Sequence, residues 1–297
     1  MKIFVTGASG FVGSAVVAEL IAAGHHVTGL VRSQTAAEAL VAAGAEAHFG
    51  ALTDHDSLEA GAAKADGVIH TAFIHDFSKF AENCEIDRLA IEALGSALAG
   101  SDRPLIVTSG TGLLSRGKLA TEATDAPTGS NTYPRVSEQT GLAQAAKGVR
   151  ASVIRLPPSV HGEGDHGFVP LLIGIARDKE SAAYIDDGAN VWPAVHRLDA
   201  ARLYRLAIEQ GIAGARYHAV AEQGIAFRDI AAAIGRRLGL AVAPMSGQAA
   251  AAHFGWFSHF AGIDNPSSSQ WTRDTLGWQP RHIGLLEDLD HDYYFIG

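Results

Sequence analysis

The sequence predicts an α/β protein built on a doubly wound parallel sheet, and three observations point to it. Short apolar runs alternate with amphipathic helical patterns from the first residues to Leu156. The first run, Ile3–Val5, stops at Thr6-Gly7, and a helical pattern starts straight after Gly13. After Leu156 the rhythm changes: PPSVHGEGDHGFVP is rich in Gly, Pro and His and reads as loop. Strands alternating with helices, joined by right-handed crossovers, give a Rossmann-type sheet with all strand C-terminal ends on one edge. The changed rhythm marks a smaller, mostly C-terminal lobe. The expected division is 1–156 for the sheet domain, with 190–222 returning to it, and 157–189 plus 223–297 for the lobe.

Each element has its own signal. Gly13–Ala23 is helical, with Val16, Val17, Leu20 and Ile21 on one face and Gly24 as its stop. His26–Val31 is the second strand. Ser33 is placed to cap a helix that runs to Ala43 and ends at Gly44. Glu46–Phe49 is the third strand, Val68–Thr71 the fourth and Leu105–Thr108 the fifth, with a long helix from Ser78 to Ala99. A helix is expected over Pro134–Ala146 and a sixth strand over Ser152–Leu156. Further on, Phe168–Lys179, Leu198–Gln210 and Phe227–Leu238 read as helices, Ala182–Ile185 and Ala215–Val220 as strands, and a last helix lies near Leu285–Tyr293.

Composition excludes several classes. A formal net charge of −9 argues against nucleic acid, whose binders carry a basic patch or stripe. No apolar run reaches membrane-spanning length, so no membrane partner is expected. Met-Lys followed at once by a strand is not a signal-peptide layout, and Cys84 is the single cysteine, so the cytoplasm is the expected compartment. There is no HExxH and no CxxC, so no metal site is expected. Serine hydrolysis lacks its GxSxG elbow.

The opening turn carries the chemistry. Gly7, Gly10 and Gly13 are spaced GxxGxxG between a strand and a helix. That unit sets backbone N–H groups and a helix N-terminus against a pyrophosphate, here at Gly7, Gly10, Phe11 and Val12. The residue ending the second strand meets the adenosine ribose: an acid selects NAD, whereas an arginine accommodates the 2′-phosphate of NADP. This chain reads Leu30-Val31-Arg32-Ser33, with no acid. Arg32 is suited to a bidentate phosphate contact, with Ser33 and Ser9 as hydroxyl donors, so NADP(H) is the expected cofactor.

With these motifs in view, the chain resembles the short-chain dehydrogenase/reductase superfamily in its extended or atypical branch, which holds NAD(P)-dependent epimerases and dehydratases and dihydroflavonol-type reductases. TGASGFVG matches that branch's phosphate loop, and GALTD (Gly50–Asp54), HTAF (His70–Phe73), IVTSGTG (Ile106–Gly112) and VIRLPPSVHG (Val153–Gly162) match later segments. The resemblance implies that Leu52 frames the adenine and that Thr71, Ala72 and Phe73 lie under the ribose. It also implies that Pro157 and Ser159 belong to the loop holding the nicotinamide. It makes Tyr133 the proton-exchanging tyrosine and Ser109 or Thr111 the hydroxyl that orients the substrate. The family pairs that tyrosine with a lysine four residues on; here that position is Ser137, and a one-residue slip brings Glu138 to it instead.

Three functions follow from the resemblance: an NADPH-dependent reductase of a small carbonyl or enone compound, a non-catalytic NADP-binding sensor, and a sugar-nucleotide epimerase or dehydratase. A phenol with no lysine beside it keeps its ordinary pKa of about 10, so it donates a proton well and accepts one poorly, which favours reduction. His161 and His166 in the GEGDHG loop are alternative proton donors. Phe73, Phe77, Phe168, Trp192 and Trp256 are candidates for an apolar substrate pocket, and Arg177, Arg197, Arg202 and Arg205 read as solvated faces. The resemblance implies that a homodimer would form through Ser78–Ala99 and Pro134–Ala146, but the outer faces of these helices are not apolar enough to decide it.

Overall fold

The computed structural model describes residues 1–114, 117–127 and 134–296, and for Phe77 the backbone alone. In chain order the sheet domain begins β1 (Lys2–Thr6), α1 (Phe11–Ala22), β2 (His26–Val31), α2 (Gln34–Ala42), β3 (Glu46–Phe49), α3 (His55–Ala63) and β4 (Gly67–His70). It continues α4 (Phe80–Leu98), β5 (Pro104–Gly110), α5 (Ser137–Ala143) and β6 (Arg150–Leu156). Then come β7 (Ser159–His161), α6 (Phe168–Asp178), β8 (Ser181–Ile185), β9 (Val191–His196), α7 (Arg197–Gln210) and β10 (Arg216–His218). The chain closes with β11 (Glu222–Ala226), α8 (Phe227–Leu238), β12 (Ala241–Met245), α9 (Gly247–Phe254), α10 (Ser258–Ala261), α11 (Gln270–Leu276) and α12 (Leu285–Asp288).

Seven strands pair in the order β10-β6-β5-β4-β1-β2-β3, all parallel. The order reverses at β1, between β2 and β4, where such sheets open a crevice for ligands. Alternation along β1 divides the core in two. Ile3 and Val5 pack on one face with Val16, Leu20 and Leu203. Phe4 packs on the other with Leu58, Ile91 and Leu94. A separate core in the C-terminal part gathers Trp192, Phe227, Ile230 and Phe257 with Leu172 and Ile173. Each such side chain, fully buried, contributes about 2 kcal/mol of hydrophobic stabilisation.

Four strands lie outside the sequence expectation. β7, β9 and β11 form a three-stranded sheet, and β8 pairs with β12. β9 falls within 190–222, the stretch expected in the main sheet, but it joins β7 through Ser159↔Ala194 and Val160↔Val195. The unexpected four, β7, β9, β11 and β12, are short, and partners distant in sequence specify them, so local pattern does not reveal them. The helix expected over Pro134–Ala146 begins only at Ser137, because Val136 is non-helical (φ −126°, ψ 22°), and it tightens after Ala143 into a 3₁₀ turn. α1 starts two residues earlier than its apolar pattern, since Gly10 is its N-cap.

A buried ion pair anchors α5. Arg155 is fully buried and donates from Nε and Nη2 to the Glu138 carboxylate at 2.8 and 2.6 Å. Arg216 adds a second cation at 2.9 Å, and the His218 ring lies 3.1 Å from Arg155 Nη1. Burial, and then the Arg155 charge, hold the His218 pKa down at about 3, so this ring is neutral at pH 7.

The tightest contact in the fold lies between α1 and the turn after β1. A Cβ at Gly13 would stand 1.9 Å from the Gly7 carbonyl oxygen, a backbone atom with no freedom to retreat. Gly13→Ala is therefore expected to lower the unfolding free energy by about 3 kcal/mol or more in urea titration. A loss under about 1 kcal/mol would show that α1 has room to shift.

Candidate cofactor and active site

Backbone geometry alone builds the opening turn. Gly7 has φ +71°, in the left-handed region, and turns the chain off β1. The Gly10 amide donates to the Gly7 carbonyl at 2.9 Å, and α1 follows with no side chain capping it. The N–H groups of its first turn have no intrahelical acceptors and lie beside exposed Ser9 and Gly10 and half-buried Phe11 and Val12. At Gly7 a Cβ would meet Thr71 Oγ1 at 2.7 Å and the Ala72 amide nitrogen at 2.8 Å, so the turn after β4 walls this one. Thr71 acts as a brace, its hydroxyl donating to the Thr6 carbonyl at 2.8 Å. A concave, glycine-lined, uncapped helix N-terminus fits a pyrophosphate.

Beside this turn, Arg32 lies one residue past β2, exposed, and forms no hydrogen bond or ion pair with any described residue. Ser33 caps α2, accepting from the Ala36 amide at 3.2 Å, which leaves its hydroxyl proton free to donate outward. Leu52 packs in the same core as Leu30 at the edge of this region.

At the opposite end, past β4 and β5, a chain of buried polar groups was not expected from the sequence. Ser137, in the position of the family lysine, donates to Asp87 Oδ2 at 2.5 Å. Asp87 Oδ1 lies 3.0 Å from His70 Nε2, and His70 Nδ1 lies 2.7 Å from Thr6 Oγ1. All four residues are buried. Arg135 donates from Nε to Ser137 Oγ at 3.0 Å and stacks over the Phe73 ring, 4.2 Å from its centroid. A signal for Asp87 exists in the sequence. It falls on the buried stripe of α4 with Asn83, Cys84, Ala90, Ile91 and Leu94, where a carboxylate needs a partner.

Other expected site residues fall in different places. Tyr133 lies outside the described residues. Ser109 is buried near the end of β5. The Thr111 hydroxyl is engaged elsewhere, donating to Asn265 Oδ1 at 2.8 Å while Asn265 Nδ2 returns a bond to the Thr111 carbonyl. Pro157 and Ser159 are buried, and the Ser159 hydroxyl has no hydrogen-bond partner among the described residues. His161 is also buried, with Nδ1 2.8 Å from Asp288 Oδ2 and an edge-on contact to His196, so it sits inside the second lobe and not on a cleft wall. His166 is exposed, with its ring edge-on to Phe11 of the glycine turn.

The aromatic pocket expected from Phe168 and Trp192 is corrected by their packing. Trp192 is fully buried among Phe168, Phe227 and Phe257, as lobe core. Trp256 is exposed, and the Phe77 side chain lies outside the description. Arg197, expected as a solvated face, instead braces α1: it donates to Ser14 Oγ at 2.9 Å and stacks over Phe11. Among the described residues no three His, Cys, Asp or Glu side chains gather as a metal would need, and no helix is long and apolar enough to cross a membrane.

A family model described as "NAD dependent epimerase/dehydratase family" matches residues 3–220. An uncharacterized protein of Schizosaccharomyces pombe is 53% identical over 297 residues, covering 99% of this chain and 100% of that one. A 4-hydroxy-2-methyl-3-oxo-4-farnesyl-3,4-dihydroquinoline-1-oxide ketoreductase of Stigmatella aurantiaca is 28% identical over 228 residues, 73% of this chain and 67% of its own. Among solved structures, a dTDP-glucose 4,6-dehydratase of Streptomyces venezuelae with NAD bound is similar at TM-score 0.78 and 20% identity, over 99% of this chain and 97% of that one. This last likeness is one of fold.

Removing the hub of the buried chain strands His70 and Ser137 together. Asp87→Ala is expected to lower the unfolding free energy by about 3 kcal/mol, and Ser137→Ala by about 1 kcal/mol, in urea titration. Equal losses for the two variants would contradict the placement of Asp87 at the centre.

Proposed function

This chain belongs to the NAD dependent epimerase/dehydratase family, a family of nicotinamide-dependent oxidoreductases, and from that premise we propose that it uses NADPH to reduce a small carbonyl or enone compound. The observation that carries the cofactor choice is Arg32: a guanidinium at the end of β2, exposed, unpaired among the described residues, with no acid beside it. There it meets the 2′-phosphate through charge-assisted bonds, with the Ser33 hydroxyl as a second donor. The Gly10 amide is held by the Gly7 carbonyl, and the amides of Phe11 and Val12 take the pyrophosphate over the side-chain-free surface of Gly10. When bound, the cofactor supplies the hydride.

The remaining roles fall to side chains past β4 and β5. Ser109 is the hydroxyl assigned to orient the substrate oxygen, since Thr111 is tied to Asn265. Tyr133 donates the proton that completes the alcohol. With Ser137 where the lysine would stand, no ammonium lowers that phenol's pKa, and a protonated phenol serves reduction better than oxidation. An epimerase needs an oxidation step with a base, and for that reason ranks below. The ketoreductase among the relatives supports the same direction. A cofactor-binding protein without turnover is the second reading, and the neutral Ser137 is what favours it.

The test is NADPH oxidation by the purified protein with a panel of aldehydes, ketones and enones, followed at 340 nm. Turnover is expected with NADPH preferred over NADH, and Arg32→Asp should lower kcat/KM for NADPH by at least about tenfold without a comparable loss for NADH. Tyr133→Phe should reduce kcat by roughly a hundredfold or more. Tight NADPH binding with no turnover on any member of the panel would favour the second reading. A clear NADH preference in the unaltered protein would remove the role given to Arg32.

A further inference from the structure

The site has lost the family's lysine, yet it has not lost a cation. Ser137 is neutral, and its hydroxyl points inward to Asp87. Two residues earlier, Arg135 is half-buried, with its guanidinium stacked over Phe73 and its Nε on the Ser137 hydroxyl. No carboxylate of a described residue pairs with it: Asp87 is reached only through Ser137. A half-buried guanidinium held on one face by a ring and on one edge by a hydroxyl has donors left over.

Its position in the fold says which end of the cofactor it faces. In that reading the dinucleotide crosses the sheet at β1, and Arg32, one residue past β2, marks the adenosine side. The other half then lies over β4 and β5. Phe73 is three residues beyond the end of β4, and Arg135 covers it. The charge is felt by neighbours around that end. Burial, and then Arg135, keep the His75 pKa below its ordinary value; at Tyr204, whose hydroxyl meets Thr108 of β5 at 2.7 Å, burial raises the phenol pKa and Arg135 only opposes that rise. A surface guanidinium that merely clamps a ring would not sit at the convergence of these groups.

We propose that Arg135 is the fixed cation of the reaction site, held by Phe73 and Ser137 so that its free donors face the oxygen of the bound carbonyl compound and the nicotinamide end of the cofactor. The proposal rests on the reductase reading above. When bound, the cofactor would supply the hydride to the carbonyl carbon; the carbon–oxygen π pair would pass to oxygen, which takes a proton from the general acid. Arg135 stabilises the oxygen as its charge grows and gives up no proton, because a guanidinium stays protonated throughout. The same fixed charge disfavours the cationic ring of NADP⁺ relative to the neutral ring of NADPH.

That second consequence supplies a test independent of turnover. Dissociation constants for NADP⁺ and NADPH are measured by calorimetry on the unaltered protein, Arg135→Gln and Arg135→Lys, with melting temperatures as a check on folding. In Arg135→Gln the ratio Kd(NADP⁺)/Kd(NADPH) should fall by about fivefold, while Arg135→Lys, which keeps the charge, should hold it within about twofold. General loss of structure would weaken both cofactors together and leave the ratio unchanged. If Arg135→Gln does not fold, Arg135→Met keeps the stem over Phe73 and takes its place. With a substrate in hand, kcat should drop by roughly a hundredfold with little change in KM, and added guanidinium should restore part of it. An unchanged ratio and unchanged kcat would overturn the proposal while leaving the reductase reading intact. A shifted ratio in a protein that reduces nothing would uphold the placement of Arg135 and overturn the reductase reading.

Discussion

The carboxylate of Asp87 is the point at which four separate elements are tied together. It comes from α4, meets His70 at the end of β4, reaches Thr6 at the end of β1 through that ring, and holds Ser137 at the start of α5. Those strand ends are the crevice edge at which the sheet order reverses. A buried carboxylate without partners is costly, so the requirement to satisfy it fixes the spacing of β1, β4, α4 and α5 more narrowly than apolar packing does. On the other side of α5, Glu138 is fixed by Arg155 and Arg216. Adjacent residues on one short helix are thus pinned from opposite directions. Arg135, two residues before α5, is tied to this anchored start through its bond to the Ser137 hydroxyl.

This arrangement separates the two halves of the crevice by chemistry. The half at β1 and β2, to which we assign the adenosine, is made by backbone, a left-handed glycine and an uncapped helix N-terminus, with one exposed guanidinium, Arg32, beside it. The other half is made by side chains wired to the core. Where the resemblance implies a lysine, this chain has a neutral hydroxyl bonded to Asp87 and, two residues earlier, a guanidinium stacked on Phe73. A planar, permanently charged group held on an aromatic face loses less entropy in binding an oxygen than a lysine stem does. It also cannot shuttle protons, which limits the chemistry open to the site.

How much of this was legible follows from the range of each interaction. The glycine turn, the strands from β1 to β6 and the exposed Arg32 were readable because short-range pattern decides them. Features set by distant partners were not. The Thr111–Asn265 pair joins residues 154 positions apart, and nothing near either one announces it. β7 and β9 exist because they pair with each other. Trp192 and Phe168 carry the same local signature in a lobe core as they would in a pocket wall. Asp87 was legible in principle, as an acid on the apolar stripe of a helix. The sequence showed a missing lysine at Ser137, but only the geometry showed that Arg135 stands beside the gap.

The roles given to these residues depend most on where a dinucleotide lies. The most direct test is an NMR titration of isotopically labelled protein, following the backbone amides and the arginine Nε–H signals. With NADPH the largest shifts should fall on the amides of Phe11 and Val12 and on Arg32 Nε–H, and with NADH the Arg32 signal should stay in place. Saturable NADPH shifts confined to other surfaces, with Phe11 and Val12 unmoved, would contradict that placement.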